Sequence, residues 1–142
     1  MRFLIDTSVW SEALRRKKVS IHSGETTLSR LIAAESEIIV IGIVLQEILS
    51  GIKDKKLFTE IQSILSDFPY IETERQDYIF AAELRNSLKA KGIHAGSFDF
   101  LIASMAIRHD LLLVTTDKDF QHIAAYSKLR ILYINTPDTQ HI

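Results

Sequence analysis

The chain has 142 residues, of which 46% are hydrophobic and 25% charged, a composition typical of soluble globular proteins and unlike that of disordered ones. Lys and Arg total 17 against 18 for Asp and Glu, so the charge balance neither requires nor excludes a nucleic-acid partner. The absence of cysteine excludes disulfides and thiolate metal sites.

The length predicts one domain spanning residues 1–142, in which residues 136–142 form a frayed tail. Every apolar run is far shorter than the roughly 20 residues that a membrane-spanning helix needs. The N-terminus shows no signal-peptide pattern, so a cytoplasmic protein is expected.

Hydrophobic periodicity predicts strands and helices that alternate along the chain. The predicted strands are residues 3–5, 38–41, 70–71, 111–115 and 130–135. The predicted helices are residues 9–17, 23–35, 43–52, 57–65, 74–91, 97–109 and 117–127. Thr7 or Ser8 is the expected N-cap of the first helix. The alternation indicates an α/β fold with a mostly parallel sheet of four or five strands and helices on both faces.

Four carboxylates stand out among the 18 acidic residues. Asp6 follows the first predicted strand and Asp117 follows the fourth, and in a parallel sheet both strand ends point to the same edge. Glu47 and Asp99 lie among apolar residues of predicted helices, where an isolated charge is costly. Asp119, two residues beyond Asp117, is a candidate fifth member.

Such a set of carboxylates favours a site for hard divalent cations. Crowded carboxylates repel one another, and their pKa values rise unless a cation is present. Mg²⁺ and Mn²⁺ prefer oxygen ligands, and a pair of such ions can promote phosphodiester cleavage. The chain has no P-loop, dinucleotide-binding or nucleophile-elbow motif. No zinc-like spacing is found among the histidines, which are His22, His94, His109, His122 and His141.

Each of these carboxylates also has an ordinary structural explanation. Asp6, Asp99 and Asp117 stand near helix starts, where Asp serves as a cap or dipole partner, and Glu47 alone is more often partly exposed. The ordered combination favours chemistry over caps alone. The alternative is a non-catalytic metal- or RNA-binding module, for example a receiver-like domain. That pattern normally has an acidic pair near the first strand, and Asp6 has no adjacent acidic partner.

Four segments carry a resemblance to a known family: F-L-I-D-T-S-V-W at Asp6, V-L-Q-E-I-L-S-G at Glu47, S-F-D-F-L-I-A-S at Asp99 and L-L-V-T-T-D-K-D-F at Asp117. In this order and spacing the chain resembles PIN-domain ribonucleases, most closely the VapC-type toxins of toxin–antitoxin pairs. Each segment alone is weakly specific, whereas the ordered set covers nearly the whole chain. Phe100 departs from the family pattern, in which a small or aliphatic residue often follows the aspartate, and it could narrow the pocket.

The resemblance implies an endoribonuclease that depends on Mg²⁺ or Mn²⁺ and hydrolyses RNA phosphodiester bonds with a metal-activated water. Its catalytic and metal-binding quartet would be Asp6, Glu47, Asp99 and Asp117. Asp119 matches an additional acidic position of some members, a further candidate metal ligand. Ser8 and Thr115 match the polar positions beside the first and last aspartates and are candidates for positioning the substrate.

The resemblance also implies partners. The substrate would be a structured RNA, such as transfer or ribosomal RNA, whose cleavage stops translation. The protein partners would be a cognate VapB-type antitoxin and a second copy of the chain in a homodimer. A housekeeping PIN nuclease without an antitoxin is the alternative within the family.

Arg15, Arg16, Lys17 and Lys18 follow the first predicted helix and form a basic run. This run is a candidate contact for the RNA backbone. A solvated helix end, whose cations complement the helix dipole, explains it equally well. Trp10 is expected in the core or in a dimer contact rather than against a base.

Overall fold

The computed structural model describes residues 1–14 and 26–135. Its strands are β1 (Arg2–Ile5), β2 (Glu37–Ile41), β3 (Tyr70–Ile71), β4 (Leu112–Thr115) and β5 (Ile131–Tyr133). They form one sheet in the order β3-β2-β1-β4-β5, and all neighbouring strands are parallel. The predicted α/β fold with a parallel sheet is therefore confirmed.

Seven helices lie in the described residues. They are α1 (Thr7–Leu14), α2 (Thr27–Ala33), α3 (Gly42–Ser50), α4 (Lys55–Ser66), α5 (Arg75–Lys89), α6 (Ser97–Arg108) and α7 (Lys118–Ala125). The chain moves from β1 to β3 through α1 to α4, then returns beside β1 and continues to β5 through α5 to α7. Right-handed crossovers in opposite directions place these two groups of helices on opposite faces of the sheet.

The first helix begins at Thr7, so the predicted start at Val9 is two residues late. The main-chain oxygen of Asp6 accepts hydrogen bonds from the N–H groups of Val9 and Trp10, at 3.0 and 3.2 Å. The last residue before the helix is therefore Asp6, and the expected cap at Thr7 or Ser8 is wrong. The reason is that β1 passes into α1 without an intervening loop.

The central strands and the two helical layers enclose a single apolar core. Trp10, Phe100 and Phe120 are among the largest side chains with almost no exposed surface. The Trp10 ring packs edge-on against Phe68 with 5.2 Å between ring centroids, which confirms its prediction as a core residue. Phe100 is 2% exposed. Its ring fills the core instead of narrowing a pocket, because it lies on the inner side of α6.

Some predictions fall outside the described residues: the basic run at residues 15–18, the start of the second helix at residue 23, and the tail at residues 136–142. Across residues 1–14 and 26–135, no helix combines the length and the apolarity needed to span a bilayer.

Candidate metal-dependent active site

The site lies between the carboxyl ends of β1 and β4, where the order of the strands in the sheet reverses. These two strands are neighbours, with Ile5 opposite Val114. The main-chain N–H of Asp6 extends the ladder by donating to the Val114 carbonyl at 2.9 Å. Crevices at such a reversal of strand order are the usual binding sites of open parallel sheets. Asp6 and Asp117 leave the two strands at this edge.

Asp6 is buried, with 6% of its surface exposed, and both carboxylate oxygens are hydrogen-bonded. Oδ1 accepts from the Thr7 N–H at 2.8 Å. Oδ2 accepts from the Thr115 hydroxyl at 2.8 Å and from the Ser8 hydroxyl at 3.2 Å. Burial raises the pKa of Asp6, the charge of Asp117 adds to this, and the three hydrogen bonds oppose it. The carboxylate is thus fixed in one orientation in a poorly solvated place.

The hydroxyls of Ser8 and Thr115 connect Asp6 to the end of β4. Thr115 Oγ1 also accepts from the Asp117 N–H at 3.0 Å, and Ser8 Oγ accepts from the Thr116 N–H at 3.4 Å. Thr115 is completely buried, so it can influence a substrate only through the aspartates that it holds.

Asp99, Asp117 and Asp119 form the tightest acidic group of the described residues. One carboxylate oxygen from each lies within 4.8 Å of those of the other two. Asp117 is also the N-cap of α7, since its Oδ1 accepts from the Asp119 N–H at 2.9 Å. Asp117 can therefore be a helix cap and a member of the acidic cluster at the same time, because the hydrogen bond that caps α7 also fixes its carboxylate.

Asp99 extends from the first turn of α6, where its Oδ2 accepts from the Gly96 N–H at 3.3 Å. Burial raises the pKa of Asp99 to about 6, with further contributions from the charges of Asp117, Asp119 and Asp6. The charges of Asp6, which follows β1, and of the pair at the start of α7 thus both act on Asp99.

Glu47 joins the site from α3. Thr7 donates its hydroxyl to Glu47 Oε1 at 3.3 Å. Glu47 is exposed, so the expectation that it is embedded among apolar residues is wrong. Val44 and Ile48 are the buried residues of this helix, and Glu47 emerges beside them on the outer surface. Partial desolvation raises its pKa, and the charge of Asp6 does so as well.

This donor set fits a hard divalent cation. All of its side-chain ligands are carboxylate oxygens, the type preferred by Mg²⁺ and Mn²⁺. Burial is the main cause of the raised pKa of Asp99, and repulsion from the neighbouring carboxylates adds to it, a repulsion that a bound cation would remove. The five predicted acidic positions thus lie around one end of the sheet: Asp99, Asp117 and Asp119 as a cluster, Asp6 after the end of β1, and Glu47 bonded to Thr7.

Sequence reasoning did not predict that Thr7 links Glu47 to Asp6. It also did not predict the buried ion pair formed by Asp77. Asp77 of α5 is fully buried and is bonded by Arg108 Nη1 and, at 3.0 Å, by His109 Nε2. A lone Asp on the apolar stripe of the predicted helix was the available signal. Its partners lie 31 and 32 residues away, and the sequence pattern does not reveal them.

Comparison with known proteins identifies this arrangement. The sequence profile of the PIN domain matches residues 3–126. The chain belongs to the PIN-domain family. Curated relatives of this PIN domain include Ribonuclease VapC11 of Mycobacterium tuberculosis, 33% identical over 130 residues that cover 89% of this chain and 95% of the relative. Ribonuclease VapC2 of Rickettsia felis is 30% identical over 128 residues that cover 87% and 92%. The resemblance to VapC ribonucleases is confirmed.

Solved structures agree with the PIN fold. The crystal structure of VapBC2 from Rickettsia felis bound to a DNA fragment from their promoter is similar with a TM-score of 0.73 and 27% identity, over 94% of this chain and 98% of the other. DNA-bound VapBC from Salmonella typhimurium has a TM-score of 0.75 at 22% identity, over 94% and 98%. The second likeness concerns the fold alone.

Proposed function

We propose that this PIN domain is a divalent-cation-dependent endoribonuclease and acts as the toxin of a type II toxin–antitoxin pair. The observation that carries the proposal is the group formed by Asp99, Asp117 and Asp119, whose oxygens lie within 4.8 Å of one another beside buried Asp6. A group of carboxylates without a cation would repel an RNA phosphate, because both are negatively charged. With a bound divalent cation the same group would attract the phosphate.

Asp6, Asp99, Asp117 and Asp119 would hold Mg²⁺ or Mn²⁺, with Glu47 completing the set. The bound ion would supply Lewis-acid activation of water and neutralise charge on the scissile phosphate. The chain's own contribution is orientation. Ser8 and Thr115 both donate to Asp6 Oδ2, and ligands held in this way need no rearrangement when the cation binds.

The protonation of Asp99 would be coupled to cation binding. Its pKa of about 6 leaves part of the free protein protonated on the Asp99 carboxyl near neutral pH. Cation binding therefore competes with a proton at this group. Because its only hydrogen bond among the described contacts is from Gly96 at 3.3 Å, Asp99 is also less constrained than Asp6.

The partners follow from the relatives. The similar structure from Rickettsia felis, 27% identical, is of VapBC2, which supports a VapB-type antitoxin as the protein partner. We further propose a structured RNA, transfer or ribosomal, as substrate, and a homodimer as the assembly. Residues 15–18, which lie outside the described part, supply candidate contacts to the RNA backbone.

The activity is tested with purified protein, total RNA of the source cell, and Mg²⁺ or Mn²⁺. We expect endonucleolytic cleavage that leaves 5′-phosphate ends, stops on chelation, and falls at least 100-fold in Asp99→Asn. Asp67→Asn, an exposed position at the end of α4, is the matched control. Cation-dependent RNA binding without cleavage would favour the non-catalytic alternative, and cleavage that no neighbouring gene product suppresses would favour a housekeeping nuclease.

A further inference from the structure

A second cleft borders the acidic site and has no role in the mechanism above. It has a volume of about 290 Å³ and lies between α3, the segment after β3, and the helix pair α5 and α6. Gln46 and Leu101 line it. Gly42 and Glu72, which also line it, directly follow the carboxyl ends of β2 and β3. The cleft therefore lies at the same edge of the parallel sheet as Asp6 and Asp117.

Two half-exposed aromatic rings flank this cleft. Tyr70 is 47% exposed and Tyr78 57% exposed, and both line the cleft. Large aromatic side chains exposed next to a cleft are the usual platforms on which unpaired bases stack. Each tyrosine also carries a hydroxyl, so the ring can remain at a wet surface without a partner protein.

The polar lining has a distinct donor and acceptor pattern. Glu72 contributes a carboxylate, which only accepts hydrogen bonds at neutral pH, and Gln46 contributes an amide that can donate. Partial burial raises the pKa of the Tyr70 hydroxyl, and the charge of Glu72 adds to this effect. Glu72 and Tyr70 line the same cleft, so both can contact one bound group.

Among the RNA bases, guanine fits this pattern best. Its Watson–Crick edge presents two adjacent donors, N1–H and the 2-amino group, which match the two oxygens of one carboxylate. Its O6 and N7 accept from an amide. Adenine, cytosine and uracil each present an acceptor next to their donor on that edge, so a carboxylate would face a lone pair.

Gly42 keeps the cleft in this shape. A Cβ placed at Gly42 would lie 2.9 Å from the Tyr70 hydroxyl, closer than such contacts normally are. Any larger residue at position 42 would push the Tyr70 ring out of its place. Glycine thus allows the ring to cover the start of α3 at the cleft wall.

We infer that the cleft bounded by Tyr70, Glu72 and Tyr78 is a guanine-binding subsite for a nucleotide of the RNA that the acidic site binds. The inference rests on the proposed ribonuclease function, whose substrate it would define more closely.

The test measures binding as well as cleavage. A labelled single-stranded RNA with one guanine in a background of adenine and uracil is titrated with the full chain in Ca²⁺, and the same RNA carries inosine or adenine at that position for comparison. We expect binding to weaken at least about fivefold with inosine, which lacks the 2-amino group. Tyr78→Ala should weaken guanine binding roughly 5- to 150-fold, and Glu72→Gln should abolish the preference for guanine over inosine.

The matched controls are Tyr126→Ala, a tyrosine 52% exposed that does not line the cleft, and Glu83→Gln, an exposed acid on the same helix as Tyr78. Both should bind guanine RNA like the unmodified chain. Circular dichroism verifies that all four variants fold.

The outcomes separate this inference from the proposed function. If RNA is cleaved but guanine, inosine and adenine bind equally, the subsite is overturned and the ribonuclease function stands. If Tyr78→Ala converts a dimer to a monomer in sedimentation without changing base preference, the face belongs to a second copy of the chain, and the subsite is again overturned. If no RNA is cleaved although guanine binding depends on Glu72, the nuclease proposal fails and the cleft is a guanine-binding site without a part in cleavage.

Discussion

The Thr115 hydroxyl lies between two aspartates of the site: it donates to Asp6 Oδ2 at 2.8 Å and accepts from the Asp117 N–H at 3.0 Å. One oxygen atom thus sets the position of a carboxylate from β1 and of the residue that begins α7. No water can replace it, because Thr115 is completely buried.

Thr115→Val should therefore damage the site while it keeps the shape of the side chain. The substitution removes one donor to Asp6 and leaves the Asp117 N–H without its acceptor, which costs about 1–3 kcal/mol in the free energy of unfolding. Loss of such a supporting contact typically weakens metal binding 10- to 100-fold. Urea denaturation and Mn²⁺ calorimetry measure the two effects. Thr59→Val, at an exposed position of α4, is the control, and equal results for both variants would contradict the prediction.

The pKa of Asp99 predicts how stability depends on pH when no cation is bound. The folded state raises this pKa from 3.8 to about 6, so the folded chain holds the proton more tightly than the unfolded chain does. The free energy of unfolding should then fall as pH rises from about 4 to 6, by roughly 1–3 kcal/mol from this group. Urea midpoints measured in chelator across pH 4–7 test this. In Asp99→Asn that decrease should be absent, and an equal decrease in both proteins would refute the assignment.

Divalent cations should reverse the same loss at neutral pH. A ligand that binds only the folded chain stabilises it by about 2.7 kcal/mol at 100 times its dissociation constant. Mg²⁺ or Mn²⁺ should therefore raise the unfolding midpoint of the chain. In Asp117→Asn, which lacks one member of the group around Asp99 and Asp119, the midpoint should rise much less. A rise of the same size with monovalent salt at equal ionic strength would indicate screening instead of a site.

The ion pair of Asp77 should matter for stability alone. Burial by itself raises the pKa of Asp77, but the Glu74 N–H and the side chains of Arg108 and His109 outweigh it and hold the pKa below 3.8. This contribution is complete above pH 3.8 and is lost as pH falls below that value. Asp77→Asn leaves Arg108 without its charged partner and should cost about 3–5 kcal/mol at pH 7.

Cation binding separates this role from a catalytic one. Arg108 and Asp99 stand at opposite ends of α6, about 14 Å apart along the helix. The folded fraction of Asp77→Asn should consequently bind Mn²⁺ with unchanged affinity in calorimetry below its unfolding temperature. Weakened binding in that fraction would show that α6 transmits the change to the site.

Hydrophobic periodicity predicts most of the strands and helices correctly, and the incorrect predictions have physical causes. Strands such as residues 38–41 are buried on both faces, so their apolar runs are unambiguous. The predicted start of α1 is late because Asp6 alone separates the strand from the helix, and cap preferences do not distinguish Asp from Ser. The sequence did not predict the exposure of Glu47, because a helical pattern of apolar residues fixes which side chains face the core only to within about one position along the helix.

Side-chain partners far apart in sequence were the other failure. Asp77 lies on the same stripe as Ala81, Leu84 and Leu88, where a charge looks like an exception to the pattern. The contacts that make it tolerable come from the end of α6. Phe100 and Asp99 are likewise adjacent in sequence, yet one fills the core and the other faces the carboxylates, a division that depends on how α6 is rotated.

The hydrogen bond between Asp6 and Thr115 spans 109 residues of sequence. During synthesis β1 therefore cannot complete its pairing on this side until β4 has emerged from the ribosome. At roughly 5–20 residues per second of synthesis, the acidic site cannot assemble until most of the chain has been translated. A chain truncated before β4 would lack Thr115, Asp117 and Asp119 and could not form the acidic site.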